Sequence, residues 1–436
     1  MIVVDELLRE RARQGKPIRV GLVGAGAAAR MIAIQLLTPV EGIRLVAIAN
    51  RTPAHAVQIY ADEGVTSPVS VSSVAALDDA IARGTPAVTD DAMLLCGSGS
   101  VDVIVDATGS VDFGAKLAMR AFENGKHVVL INTELDSTLG PILKVHADRA
   151  GVTITNTDGD EPGVAMTLFR YLESIGLKPV ATGNLKGLVD LYRTPETQRG
   201  FAEKYSMNPR IVTSFADGTK LSMEATVLAN ATGFKVGKRG MYGKRCDHVN
   251  EIVNHLPLEQ LLSGGLVDYA LGAAPHSGAF VVVHEEHPAK KRNLGYFKMG
   301  DGPLYVFYTP YHLPHIQIAA TIARAALLGD ATVSPLGAPV CSVATFAKKD
   351  LKAGDVLDGV GGFTTYGVVE NAGIFNAEKL LPMGLSEGAR IKRDIRKDEP
   401  IAYVDVELPP ERFCDALYAE QGRYFSGQPV GSRGKA

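Results

Sequence analysis

Residues 18 to 29 read Ile-Arg-Val-Gly-Leu-Val-Gly-Ala-Gly-Ala-Ala-Ala, an apolar run that breaks into Gly24-x-Gly26-x-x-Ala29 ahead of a small-residue stretch. A buried strand, a glycine turn and a helix start in that order are the opening of a dinucleotide-binding βαβ unit. Gly24 permits the tight turn, Gly26 omits the side chain that would block a pyrophosphate, and Ala29 lets the helix pack close to its strand. Backbone N–H groups of the first helical turn, at Ala27 and Ala28, then face the phosphates. The same helix is expected to bury Met31, Ile32, Ile34 and Leu36. A bound flavin or a purely structural turn are the competing readings.

Past this helix the chain keeps the rhythm of a parallel α/β sheet. Residues 43–49, Ile-Arg-Leu-Val-Ala-Ile-Ala, read as the second strand. An acid after it would bind the adenosine ribose and repel a 2′-phosphate. The chain instead carries Asn50 and Arg51, and arginine pairs with a phosphate through its planar fork, which favours NADP over NAD. A solvated Arg51, or one stacked on adenine, leaves NAD open. The strand within 101–109 runs into Thr108 and Gly109, where a small turn can approach the dinucleotide. A helix over 111–124 and the strand 126–131 come next. Asn132, Thr133 and Glu134 then stand at the strand's carboxyl edge, where open sheets place their ligands. Capping of the next helix is the alternative role for them.

Composition narrows the class. The 436 residues suffice for two or three domains, and 46% hydrophobic with 21% charged residues suits an ordinary globular enzyme. Lys plus Arg total 45 against 48 for Asp plus Glu, so no general attraction to nucleic acid or an anionic membrane is implied. Cys96, Cys246, Cys341 and Cys414 are far apart and form no metal or redox spacing, which points to reduced thiols and a cytoplasmic location. No apolar run approaches the roughly 18 residues of a membrane span.

Further along, Asp158-Gly-Asp160-Glu161-Pro-Gly163 offers three acids beside a helix start. These can orient a substrate, bind a divalent cation or cap the helix. No complete ligand set is legible, so a metal requirement stays open. Past about residue 178 the chain leaves the nucleotide unit through a strand carrying Asn184 and Lys186. Residues 194–209 read as an irregular excursion. The segment from Val212 to Asn230 reads as a strand, a glycine turn and a helix, with Asp217 near the helix start. Lys220 and Glu224 then share one helical face. A lysine held by carboxylates can donate a proton to a carbonyl oxygen as hydride reaches its carbon, or stabilise an alkoxide; an exposed salt bridge is the rival account. Lys186 is the second candidate. Lys238 and Arg239, in a basic loop spanning 235–248, can accept a substrate phosphate or carboxylate or can simply be surface. His312 and His315 stand at a strand-to-helix junction. From about residue 339 short strands and glycine turns predict a compact β-rich module.

Taken together these stretches resemble the reductoisomerase-like branch of the homoserine dehydrogenase-like oxidoreductases, with a C-terminal SAF-type domain. The resemblance rests on Val-Gly-Leu-Val-Gly-Ala-Gly at 20–26, Asn-Thr-Glu-Leu-Asp at 132–136 and Gly-Asp-Glu-Pro-Gly at 159–163. It also rests on Gly-Asn-Leu-Lys-Gly at 183–187, Tyr-Arg-Thr-Pro-Glu-Thr-Gln at 192–198 and Ser-Phe-Ala-Asp-Gly-Thr-Lys at 214–220. It implies an α/β chain of three parts: an NAD(P)-binding Rossmann domain over 1–178, a central α+β substrate and dimerisation domain over 179–338, and an SAF-like β-rich domain over 339–436. It implies a homodimer and a phosphorylated small-molecule substrate, 1-deoxy-D-xylulose 5-phosphate, rearranged and reduced with NADPH to 2-C-methyl-D-erythritol 4-phosphate. Carried onto this sequence, Lys186, Asp217, Lys220 and Glu224 are the catalytic candidates, with Lys220 the best proton donor. Asp160, Glu161, Lys186, Lys238 and Arg239 are the substrate-binding candidates. Ordinary homoserine dehydrogenases carry a lysine shortly after Thr-Ala-Asn, whereas this chain reads Asn132-Thr133-Glu134. Oxidation of homoserine or of a short or branched sugar acid remains the alternative activity, and a nucleotide-binding sensor or scaffold the non-enzymatic one.

Overall fold

A computed structural model describes residues 3–38 and 40–426. Seven parallel strands form the first sheet: β1 (Ile18–Val23), β2 (Ile43–Ala49), β3 (Val69–Ser70), β4 (Ala87–Thr89), β5 (Val103–Asp106), β6 (His127–Leu130) and β7 (Ile154–Asn156). Their order is β3-β4-β2-β1-β5-β6-β7. The chain runs outward from β1 to one side, then from β5 to the other, so the order reverses beside the glycine turn and opens a crevice at the strand ends. Burial on both faces explains why β1 and β5 carry continuous apolar runs rather than alternation.

The helix after the glycine turn, Ala27–Leu37, buries Ala29, Ile32, Ala33 and Leu36. Met31 is 46% exposed, contrary to the expected buried face. The helical period of 3.6 turns positions 29, 32, 33 and 36 inward and leaves 31 on the opposite side.

The central region is built on a five-stranded sheet ordered β12-β11-β8-β10-β9, comprising β8 (Lys178–Lys186), β9 (Lys244–Arg245), β10 (Leu266–Leu271), β11 (Ala279–His284) and β12 (Leu304–Thr309). Strand β8 is central, parallel to β10 and antiparallel to β11. The helix Thr219–Thr232 lies against this sheet with Thr219 through Ala231 all buried. Its polar side chains are satisfied inside: Ser222 donates to Gly367 O at 3.0 Å, and Asn230 Oδ1 accepts from Val340 N at 2.7 Å. Residues 212–216, read from sequence as a strand, belong to the helix Pro209–Ala216 instead. Pro209 sits at the first helical position and the Asn208 side chain accepts from Arg210 N, a start signal that overrides the β-branched Val212 and Thr213.

Beyond residue 340 come two small antiparallel pairs, β13 (Cys341–Ala347) with β14 (Thr365–Asn371), and β15 (Arg390–Ile391) with β16 (Val406–Glu407). The closing helix, Phe413–Phe425, returns to the first sheet's layer, where Cys414 and Leu417 join its core. It meets the helix Thr133–Arg149 at Pro141. Gln421 Oε1 accepts from Ile142 N at 3.2 Å while its Nε2 donates to Thr138 O at 3.3 Å. Those two backbone groups are an i, i−4 pair, so the carboxamide bridges one step of the helix directly after the proline, whose missing N–H already removes one helical bond. The four cysteines are buried and unpaired. Among the described residues no helix is long and apolar enough to cross a membrane.

Candidate active site

Two features meet at the carboxyl ends of the strands: a nucleotide cradle and a buried cluster of acids and lysines. In the cradle, Gly24 has φ +115°, and a Cβ there would fall 2.8 Å from Ala107 O. A Cβ on Gly26 would meet nothing within 4 Å. No side chain caps the helix that Gly26 begins, so its first N–H groups are left for an anion, and a pyrophosphate fits this cradle. Asn50 donates its amide to Thr52 O at 2.9 Å, and Arg51 is exposed at the end of β2.

Thr108 and Asn132 converge on Asp106, which is not among the residues singled out from sequence. Thr108 Oγ1 donates to Asp106 Oδ1 at 2.6 Å and Asn132 Nδ2 to Asp106 Oδ2 at 2.9 Å. Burial raises the Asp106 carboxyl's pKa, and these donors oppose it. Asn132 also caps the next helix, its Oδ1 accepting from Leu135 N at 3.1 Å. These side chains therefore hold the turn at Gly109, φ +66°, in shape beside the glycine loop. An acid at the end of a buried strand, followed closely by Thr-Gly, is the sequence signal that could have found Asp106.

The cluster gathers Glu134, Asp160, Glu161, Lys186, Lys220 and Glu224. Lys186, the last residue of β8, places its Nζ 2.5 Å from Glu161 and 3.1 Å from Glu224. Lys220 lies 3.5 Å from Glu134, and Thr133 donates to Asp160 at 3.2 Å. Asn184 donates to Glu224 at 2.8 Å while its own Oδ1 is buried without a partner. His312 Nε2 is 3.6 Å from Glu161, and its Nδ1 meets Ser277 Oγ at 3.0 Å. Carboxylate oxygens of Asp160, Glu161 and Glu224 come within 4.8 Å of one another, a convergence that spacing along the chain does not reveal.

The corner that aims Asp160 and Glu161 is held from behind. A Cβ on Gly159 would fall 2.2 Å from Leu313 O, so only glycine lets the 313–317 segment, next to His312, pack this closely. Asp158 N donates to Thr321 Oγ1 at 2.8 Å, and the buried Arg324 binds both Asp158 and Asp330.

Charge in the cluster is unequal, with four carboxyl groups against two ammonium groups. Burial and repulsion from Glu161 push the Glu224 carboxyl up to about 8. Burial would also raise Glu161, but Lys186 and His312 prevail and hold it at about 2. Asp160 is raised by burial. Burial disfavours charge on both lysines, yet the surrounding carboxylates win and raise them above the ordinary lysine value. Both are ammonium groups at neutral pH.

Asp217 lies apart from this cluster, paired with Lys348 at 2.8 Å. Arg239 pairs with Glu370 and Glu378 of the C-terminal region at 2.6 and 2.7 Å, and Lys238 lies over the Tyr242 ring. Neither is brought to the Lys186–Lys220 cluster.

Residues 159–318 match the family model described as the catalytic domain of the oxidoreductase DRL. A homoserine dehydrogenase of Methylobacillus glycogenes is 32% identical over 124 residues, 28% of this chain and 26% of that protein. The match thus spans about a quarter of that relative's length. Among solved structures, the scyllo-inositol dehydrogenase of Lactobacillus casei with bound NAD(H) and scyllo-inositol aligns at 11% identity and TM-score 0.38, over 71% of this chain and 86% of that one. The myo-inositol dehydrogenase of the same organism aligns at 12% identity and TM-score 0.36, over 61% and 71%.

Proposed function

We propose that the chain is an NAD(P)-dependent oxidoreductase of the homoserine dehydrogenase-like superfamily, acting on a small organic hydroxyl or carbonyl substrate. The observation that carries this reading is the pair of buried ammonium groups, Lys186 and Lys220, set among four carboxyl groups at the strand ends next to the glycine cradle. A bound nicotinamide would supply or accept the hydride. The chain's own part is to hold the substrate oxygen and manage its proton. Lys186 and Lys220 stay charged, so they donate hydrogen bonds and stabilise a developing alkoxide. Glu224, at about 8, exchanges a proton near neutral pH, taking it from a hydroxyl in oxidation and returning it in reduction. Arg51 makes NADP the proposed nucleotide.

Glu224, at about 8, keeps its proton at neutral pH, so the negative charge that appears as it ionises selects between substrates. It is met by a cationic group on the substrate, such as the ammonium of homoserine, or by a divalent cation. A second reading, reductoisomerase chemistry on 1-deoxy-D-xylulose 5-phosphate, is favoured by the convergence of Asp160, Glu161 and Glu224. Three hard oxygen ligands suit magnesium or manganese. Lys186 now lies against two of the three, so a metal there would displace its ammonium.

The test is the absorbance of reduced nicotinamide, with NADPH and NADH, before and after chelation of metals. Substrates would be homoserine, short sugar acids and 1-deoxy-D-xylulose 5-phosphate. Metal-independent turnover of a hydroxy acid supports the first reading. Turnover of the phosphorylated ketose that needs magnesium or manganese supports the second. Nucleotide binding with no turnover across the panel would sink both and favour a sensor.

A further inference from the structure

A second cavity opens at the opposite, amino-terminal edge of the parallel sheet, away from the nucleotide cradle. Its volume is about 210 Å³. The polar wall is Arg11, Asp102, Lys126 and His127, and the apolar wall includes Val101, Ala326 and Leu327. Arg11 comes from the amphipathic helix Asp5–Arg13.

Positive charge here is not balanced. The Arg11 Nε is buried and has no hydrogen-bond partner. Among the described residues the Lys126 ammonium makes no hydrogen bond or ion pair, and burial lowers its pKa, the sign of a cation short of a counter-charge. The nearby Asp102 is already committed to Arg19, bonded at 2.8 Å to Nη2, 3.0 Å to Nε and 2.8 Å to the backbone N. Asp78, the other acid acting on Lys126, accepts from Ser98 Oγ at 2.5 Å and Ser100 N at 3.3 Å. His127 Nδ1 accepts from Thr153 N at 3.1 Å, which leaves Nε2–H as the ring's donor.

We propose that this cavity binds a compact organic carboxylate, its two oxygens between Arg11 and Lys126 and its short apolar body on Val101, Ala326 and Leu327. The planar guanidinium fork matches a carboxylate. The apolar wall gives an organic anion contacts that inorganic phosphate cannot use. The volume, below the roughly 300 Å³ at which drug-sized pockets begin, limits the ligand to a few carbons.

Calorimetric titration of the full chain with butyrate, butyramide and inorganic phosphate tests this. Saturable one-to-one binding of butyrate, with none for butyramide, is the expected result. Arg11→Gln and Lys126→Gln should each weaken it by about tenfold or more, the loss of one charge-assisted hydrogen bond. Ala326→Leu should abolish it by filling the apolar wall while leaving both charges in place. All three positions are partly exposed, and circular dichroism checks that the variants fold. No saturable heat with butyrate overturns the proposal. So does butyrate binding that survives all three substitutions, or phosphate binding tighter than butyrate.

Discussion

The Lys348 ammonium and the Asp217 carboxylate form an ion pair at 2.8 Å, with side chains 3% and 0% exposed. Lys348 also donates to Arg193 O at 2.8 Å and Gly362 O at 2.9 Å, which accounts for all three of its protons. Asp217 in turn accepts from Thr219 N at 2.9 Å across the Gly218 turn, φ +80°. The pair fastens the β13–β14 region to the start of the helix that carries Lys220 and Glu224. Lys348→Met leaves a buried carboxylate alone and should cost about 3–5 kcal/mol. Urea unfolding midpoints measure this, and a loss below about 1 kcal/mol would contradict it. Lys348→Met combined with Asp217→Leu should recover much of the loss, because no buried charge then remains unpaired.

Lys186→Met and Lys220→Met should each lower turnover by about a hundredfold or more, the usual scale for removing a preorganised donor to a developing oxyanion. Nucleotide affinity should stay nearly intact, since neither residue belongs to the glycine cradle. Fluorescence titration of NADPH beside steady-state rates separates the two effects. Unchanged turnover in either variant would remove that lysine from the chemistry.

The Glu224 carboxyl, at about 8 in the folded chain, lies well above its unfolded value. The folded state therefore holds this proton more tightly. The resulting stability is fully present below about pH 4, the ordinary glutamate range, and is lost as pH rises through about 8. Glu224→Gln should flatten that decline in unfolding midpoints measured across the same range. In the wild type, reduction should slow above about pH 8 and oxidation should speed up. A flat profile in both directions would exclude Glu224 as the proton carrier.

Arg51→Ala should weaken NADPH binding by about tenfold or more, the loss of one charge-assisted phosphate contact, and leave NADH nearly unaffected. Parallel titrations with both nucleotides give the ratio directly. Equal losses for the two would show that Arg51 acts on the adenine or not at all.

The nucleotide-binding half is legible because its signals are local: a glycine turn, continuous apolar strands and caps all act within a few residues. Lys186, Lys220, Glu224, Asp160 and Glu161 can be named from sequence as polar residues beside glycines or helix starts, but not as one cluster. Their meeting depends on β6, β7, β8 and a distant helix ending at the same place. His312 reaches Glu161 only because Gly159 lets the 313–317 segment close in. Asp217 misleads for the same reason in reverse. Its partner, Lys348, lies 131 positions away, and nothing near Asp217 in the chain announces it. Arg239 reads as an anion site until Glu370 and Glu378 are folded against it. The strand expected at 212–216 is a local error, since Asn208-Pro209 already marks a helix start.

The bridge made by Gln421 has a consequence for the order of synthesis. Gln421 leaves the ribosome 279 residues after Ile142, and it belongs to the segment whose Cys414 and Leu417 complete the core around the Pro141 helix. Until then the helices Val111–Glu123 and Thr133–Arg149 lack the cover of Phe413–Phe425, and the backbone pair of Thr138 and Ile142 is unbridged. Consolidation of this unit around the Pro141 helix is thus a late event in synthesis.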